Sequence, residues 1–400
     1  MGVLRQRIEQ HCRIYHSEVV AVRRHIHANP ELAFEEYKTS DFIARKLDEY
    51  GIPYERGIAK TGIVGFIEGK NKNKNKVIAL RADMDALPIQ EENDVPYKSK
   101  TDGVMHACGH DAHVAMLLLA ARILNDIKDS LDGSIKLIFQ PSEEALPGGA
   151  KAMIAEGVLK NPDVRHVIGQ HVQPTMKSGT AGFRAGKYMA STDEIYLTVK
   201  GKGGHGALPY LNVDPVLIAS HIVVAMQQVV SRMAKPDLPT VVTFGRFIAE
   251  GQTNVTPDEV KLNGILRTFN EEWRADAHKR ITKLATEMAQ SMGGDCEVRI
   301  EAGYPYVVND KNLTDNLSQF SKEYLGKRKV EELDIRMTAE DFAYYSQEVP
   351  STFFRIGTKT RGKAITNLHT ATFDIDEDAL FKGMGLMAYI AYRQLEEMMD

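Results

Sequence analysis

The chain has 400 residues, 43% of them hydrophobic and 26% charged, and a net charge of −4. That length exceeds one comfortable hydrophobic core, so two domains are expected, and the slight acidity excludes a strongly basic nucleic-acid surface. The apolar runs read as too short to span a bilayer, the first residues carry no apolar signal core, and the odd, sparse set Cys12, Cys108 and Cys296 suits reduced thiols in a cytoplasm.

Helical periodicity marks residues 18–28 and 35–50. Residues 62–68 and 77–81 read as strands, joined by the basic, low-complexity tract Lys70-Asn-Lys-Asn-Lys-Asn-Lys76, a solvated hairpin loop on this reading. Further short apolar strands are expected at 134–140 and 166–172. Strands interleaved with helices imply an α/β sheet covered on both faces. Near Ala190 the character shifts. Residues 192–200 alternate polar and apolar, a helix is expected at 214–232, strands at 240–249 and 260–268, a helix at 271–292, and a strand at 297–301. This strand-helix-strand-strand-helix-strand order is a complete α+β module. From about Tyr304 the alternating pattern returns and closes on a long helix at 376–397. A smaller domain, 189–303, is therefore inserted into a larger one formed by 1–188 and 304–400.

The densest chemistry lies in His106-Ala-Cys108-Gly-His110-Asp111-Ala-His113, directly before the apolar run 114–124. Such groups buried unpaired would be costly at the mouth of a core helix. A transition-metal site explains them, because thiolate and imidazole suit Zn²⁺, Mn²⁺, Ni²⁺ or Co²⁺. Glu143 and Glu144 follow a strand and precede a loop with Pro147, Gly148 and Gly149. Adjacent carboxylates there can divide metal binding from proton transfer, although an exposed acidic turn reads the same way. His171 ends an apolar strand and alone reads more often as a satisfied core histidine; His369 follows another strand at 352–357 and alone is equally unremarkable. Asp83 and Asp85 leave the strand at 77–81 on one face, as ligands or as partners that orient a ligand histidine.

In this order, Arg81-Ala-Asp-Met-Asp-Ala-Leu-Pro88, Met105 to His113, Gln140-Pro-Ser-Glu-Glu144, Gly169-Gln-His-Val172 and Leu368-His369, the motifs resemble the amidohydrolase branch of the aminoacylase/carboxypeptidase metallopeptidase family. The likeness covers nearly the whole chain. It implies a zinc-peptidase-like catalytic domain with a mixed sheet between helices, interrupted by a ferredoxin-like lid domain that mediates homodimerisation. It implies two divalent ions per subunit (Mn, Zn, Ni or Co) on Cys108, His110, Glu144, His171 and His369, with Glu143 as catalytic carboxylate and Asp83 and Asp85 behind the ligands. Gln170 and Thr370 stand where the branch more often has Leu and Ser. In the inserted module, Gly201-Lys-Gly-Gly-His205-Gly-Ala-Leu-Pro209 matches the motif whose histidine stabilises an oxyanion, often in the partner subunit's site. Asn254 and Arg267 match substrate-gripping positions, Arg267 being suited to a substrate carboxylate. The implied reaction is hydrolysis of N-acyl amino acids to a carboxylic acid and a free amino acid, in the cytoplasm, with no nucleic-acid or membrane partner. A dipeptidase or carboxypeptidase uses the same chemistry on free peptides, and a metal-stabilised binding protein is the non-catalytic rival.

Overall fold

The computed structural model describes residues 2–70, 76–360, 362 and 364–398. The chain divides into two compact units: Met1–Tyr188, Val308–Ile335 and Asp341–Asp400 in the first, Met189–Val307 and Arg336–Glu340 in the second.

The first unit is built on an eight-stranded mixed sheet. Its strands β1 (Tyr54–Ile58), β2 (Gly62–Glu68), β3 (Val77–Asp83), β4 (Ser134–Gln140) and β5 (His166–Lys177) lie in the order β1-β2-β4-β3-β5, followed by Ser351–Lys359, Ala181–Phe183 and Val330–Glu332. The pairs β4/β3, β3/β5 and β5/351–359 are parallel, whereas β2 runs antiparallel to both β1 and β4. The sheet thus corrects the hairpin reading of 70–76: β4 lies between β2 and β3, so the two strands flanking that tract do not pair. Residues 71–75 of the tract lie outside the described residues. Strands β3 and β4 are buried at every position, as parallel strands covered on both faces must be. β5 also runs on past His171 to Lys177, beyond its predicted end, because the neighbouring strand extends alongside it.

Helices α1 (Gly2–Ile14), α2 (His16–His27), α3 (Tyr37–Glu49) and α4 (His110–Asp126) accompany this sheet, with a long helix at Asp378–Glu397. α1 was not expected from the sequence; it buries only Ile8 and Cys12, too short an apolar stripe to stand out. α4 is apolar between Val114 and Leu124 except at Arg122, and is accordingly buried on nearly every side in the core of this unit. Gln170, one of the two departures from the branch, is buried with its Nε2 on the Met116 sulfur at 3.0 Å and its Oε1 without a partner. A buried acceptor left unpaired costs about 1–3 kcal/mol. Gln170→Leu is therefore expected to raise the free energy of unfolding by about 1 kcal/mol in denaturant titration. A loss of stability would show that the amide has a stabilising role in that core.

The second unit is a four-stranded antiparallel sheet in the order Val241–Ile248, Glu259–Arg267, Asp193–Lys200, Asp295–Ala302. Asp193–Lys200 alternates buried and more exposed positions, so one face of the sheet meets a core. Ile195, Leu197 and Val199 pack there with Ile218 and Ile222 of helix Pro215–Gln228 and Ile281 and Ala285 of helix Glu271–Ser291. Each helix starts on a side-chain cap, Asp214 accepting from Val216 N at 2.8 Å and Asn270 from Trp273 N at 2.7 Å. Contrary to the sequence expectation, residues 215–233 are long and apolar enough to cross a membrane by length and composition. Here Ile218, Ala219, Ile222 and Met226 turn into the unit's core, while Leu217 and Val224 are exposed.

Candidate active site

The chemistry gathers where the parallel strands of the first unit end, the usual place for a site in such a sheet. Asp83 is the last residue of β3, Gln140 the last of β4, and His171 lies on β5. Cys108 precedes α4 and His110 opens it. Between them Gly109 has φ +87°, and a Cβ there would stand 2.6 Å from the Val172 methyl, so the turn that presents Cys108 and His110 admits only glycine. His369 itself has φ +60°, an uncommon conformation for a side chain of its size, and its N–H is held by the Ala107 carbonyl at 2.8 Å. That bond ties the 367–370 turn to the segment bearing Cys108.

All five residues of the implied ligand set come together. The Cys108 sulfur lies 3.5 Å from His171 Nε2 and 3.3 Å from His369 Nε2; Glu144 Oε1 lies 3.2 Å from His369 Nε2 and 3.9 Å from His110 Nε2. Ligand atoms at about 2.1–2.3 Å from one tetrahedral ion stand roughly 3.4–3.8 Å from each other, so these spacings fit cations. His110 Nε2 is buried without a hydrogen-bond partner and faces Glu144 Oε1, itself buried beside His369. A buried nitrogen left unpaired is costly unless something binds it. The residues divide into Cys108, His110, His171 and Cys108, Glu144, His369, with Cys108 common to both trios.

The groups behind them fix the tautomers. His171 Nδ1 donates to the Val172 carbonyl at 2.7 Å, and His110 Nδ1 to the Asp85 carbonyl at 2.9 Å and to Asp85 Oδ1 at 3.2 Å. Each therefore turns an Nε2 lone pair toward the ligand cluster. Asp85 also accepts from Glu144 N at 2.9 Å, so one carboxylate orients two residues of the implied ligand set. Asp83 divides its oxygens between Arg81 NH1 at 2.6 Å and His113 Nδ1 at 2.5 Å. His113 Nε2 accepts from Val172 N at 2.9 Å, so both its nitrogens are spent and it is a brace beside His171. His106 is buried with neither nitrogen bonded, and burial holds its pKa down at about 3, so it is neutral.

Charge in the cluster is strongly coupled. Burial opposes a charged His110, but Asp83 and the neighbouring Cys108 more than reverse this and raise its pKa well above the ordinary value. Burial, then Glu144, raises the Cys108 thiol. Hydrogen bonds to Cys108 and Glu144 push His369 up to about 10. An entering cation must displace these protons, which is how metal sites of thiolate and imidazole fill.

Four groups that sequence reasoning missed complete the surroundings. Arg23 Nε and His27 Nδ1 both bond Asp111 Oδ2, at 2.7 and 2.8 Å, burying an ion pair beneath the first turn of α4. The Glu36 carboxylate accepts from Ser142 N at 2.9 Å, where Ser142 has φ +48° directly before Glu143. Asp341 donates its backbone N–H to Glu143 Oε1 at 3.3 Å. None of these residues sits in a ligand-like spacing, so no local signal marked them.

In the second unit the structure pairs Gly204–His205 with Val255–Thr256, placing His205 opposite Val255 and next to Asn254, whose carbonyl accepts from Gly206 N at 2.8 Å. His205 is exposed. Its Nδ1 accepts from Ala207 N at 3.1 Å, so in the neutral ring Nε2 carries the hydrogen and is an outward donor. Arg267 is half-buried and bonds only to the carbonyls of Leu266 and Asp193, at 3.2 and 3.5 Å. Among the described residues no carboxylate forms an ion pair with it, so its charge is available to an anion.

The sequence profile of peptidase family M20/M25/M40 matches residues 79–393. The chain is 38% identical to thermostable carboxypeptidase 2 of Saccharolobus solfataricus over 94% of its own length and 95% of that protein's. It is 37% identical to the N-acetyl-L-cysteine deacetylase of Bacillus subtilis, over 96% and 88% of the two chains. The solved structure of the Bacillus subtilis YXEP protein, described as a dinuclear metal binding peptidase from the M20 family, superposes with a TM-score of 0.82 at 32% identity, covering 96% of this chain and all of that one. Two trios of ligand atoms beside a paired glutamate and a match across most of the chain lead to one conclusion: the chain belongs to peptidase family M20/M25/M40, in its amidohydrolase branch, and is a hydrolase of amide bonds.

Proposed function

We propose that the chain hydrolyses N-acyl amino acids to a carboxylic acid and a free amino acid at a centre holding two divalent cations. The observation that carries this reading is the convergence of Cys108, His110, Glu144, His171 and His369, with Glu143 in the position after Ser142 and its carboxylate held by the Asp341 N–H. Cations on these five residues would supply a water acidified toward neutrality and a Lewis acid for the amide carbonyl. Glu143 takes the proton of the attacking water on its carboxylate and returns it to the leaving nitrogen. His205 donates its Nε2 hydrogen to the oxyanion, in the site of a second copy by the family resemblance. Asn254 and Arg267 hold the substrate, Arg267 through its carboxylate. Three free, buried thiols suit a cytoplasmic enzyme. The exposed apolar residues Leu217 and Val224 on the second unit support self-association there.

The acyl specificity is tested by a screen of N-acetyl, N-benzoyl and longer N-acyl amino acids beside free dipeptides, with Mn²⁺, Zn²⁺, Ni²⁺ and Co²⁺ each added to chelated protein. Turnover of the acylated series and none of the free series supports the reading. Similarity to a carboxypeptidase favours free peptides as the second reading, and the reverse outcome would establish it.

Arg267→Ala is expected to raise KM at least tenfold for substrates with a free α-carboxylate, since a charge-assisted bond contributes about 1.5–3 kcal/mol. The matching carboxamides should change little. Equal losses on both would remove Arg267 from carboxylate recognition. His205→Ala should lower kcat by about 10² to 10³ with cation content intact. Mixed with a Glu143→Gln subunit, it should recover activity toward about a quarter of wild type at random assortment, because one site of the mixed dimer then has both wild-type residues. Subunit exchange without recovery would place His205 outside a partner's reaction centre.

A further inference from the structure

Asp341 is wholly buried, and its contacts surround one loop. Its carboxylate accepts from Gln140 Nε2 at 2.8 and 2.9 Å, and Gln140 is the last residue of β4. Its Oδ2 accepts from Ala150 N at 2.9 Å, in the first turn of helix Gly149–Ala155. These two anchors bracket residues 141–149, the segment that carries Glu143 and Glu144. From the same residue the backbone N–H reaches the middle of that segment, at Glu143 Oε1. The Asp341 charge is met by the Arg81 guanidinium at 2.7 Å, and Arg81 in turn bonds Gln140 Oε1 at 2.8 Å and Asp83 at 2.6 Å.

We propose that Asp341 is the positioning residue of the glutamate loop: its side chain clamps both ends of residues 141–149 while its N–H fixes the direction of the Glu143 carboxylate. The segment needs such a clamp. Ser142 occupies a left-handed conformation at φ +48°, which costs energy and persists only where the surroundings impose it. A cluster of buried donors around one anion serves that end, since Gln140 Nε2, Ala150 N and Arg81 all donate to the Asp341 carboxylate. A displacement of about 1 Å at a reacting group can cost on the order of 10² in rate. The clamp acts on proton transfer and leaves substrate binding to other residues. This inference rests on Glu143 being the base.

The test is steady-state kinetics and metal content of the fully loaded enzyme. Asp341→Ala is expected to lower kcat by about 10- to 100-fold, with KM within about twofold of wild type and bound metal unchanged. Asp341→Asn keeps an acceptor for Ala150 N but turns its amide N–H₂ toward the Arg81 and Gln140 donors, so it should recover only part of that loss. Placed on Glu143→Gln, Asp341→Ala should lower kcat no further, because a residue acting through Glu143 has nothing left to position. Should Asp341→Ala not fold, Gln140→Met removes one anchor alone and should give a smaller loss of the same kind. A wild-type kcat in these variants would overturn the proposal. So would a loss that follows metal content or KM, or one that adds in full to Glu143→Gln. An active Glu143→Gln enzyme would instead overturn the assignment of the base.

Discussion

Glu143→Gln is expected to lower kcat by about 10² to 10⁴ while the protein retains its cations, the contribution of a positioned general base. Glutamine keeps the shape and the acceptor that Asp341 N–H reaches, but it cannot take a proton from water. The neighbouring Glu144 faces His369 and His110 with a buried oxygen, so removing its charge should empty the site instead. Measuring metal content and rate on both variants separates the roles. If Glu143→Gln loses metal and Glu144→Gln keeps it, the two carboxylates have exchanged functions.

The second large effect is structural. Asp111→Ala should lower the free energy of unfolding by about 3 kcal/mol, the range for breaking a buried ion pair, because Arg23 is buried and loses its closest carboxylate. Asp374 at 2.8 Å and Glu377 at 3.3 Å still face the guanidinium and limit the loss. The sign of the pH dependence follows from the pKa of Asp111. Burial opposes its charge, but Arg23 and His27 hold it far below the ordinary carboxylate value. Its contribution is therefore complete above the unfolded value of about 4 and declines as pH falls below it. The gap between wild type and Asp111→Ala should narrow in acid when unfolding is followed by denaturant titration. A gap that is constant from pH 7 to pH 3 would mean that the pair contributes nothing through its charge.

Much of this arrangement was legible because its signals are local. Cys108 and His110 sit in one tight motif, and the strand boundaries of β2 and β4 were read to the residue, since each is a short, mostly apolar run ended by a polar residue. The elements of the second unit were equally readable, because the alternation at 193–200 and the helical patterns at 214–232 and 271–292 are local features. Strand order was not readable. The tract at 70–76 looked like a hairpin because nothing local reveals that β4, more than fifty residues later, inserts between the strands on either side of it. Asp341, Glu36 and Arg23 stayed hidden for the same reason. Their bonds to Gln140, Ser142 and Asp111 join residues 201, 106 and 88 positions apart, and none occupies a motif of its own. The family resemblance named the candidate ligands, the candidate base and the orienting Asp83 and Asp85, whereas the contacts of Asp341, Glu36 and Arg23 appear only in three dimensions.

The central claim is that the five-residue cluster around Cys108 holds the cations on which amide hydrolysis depends. The measurement that addresses it most directly is a titration of chelated protein with one divalent metal, with bound metal and the rate of N-acetyl amino acid hydrolysis read at each point. The account predicts no turnover in the chelated protein, a rate that rises with occupancy to about two ions per chain, and loss of both binding and turnover in Cys108→Ala at limiting metal. Turnover that survives complete chelation, or a Cys108→Ala protein that binds and turns over like wild type at limiting metal, would contradict it.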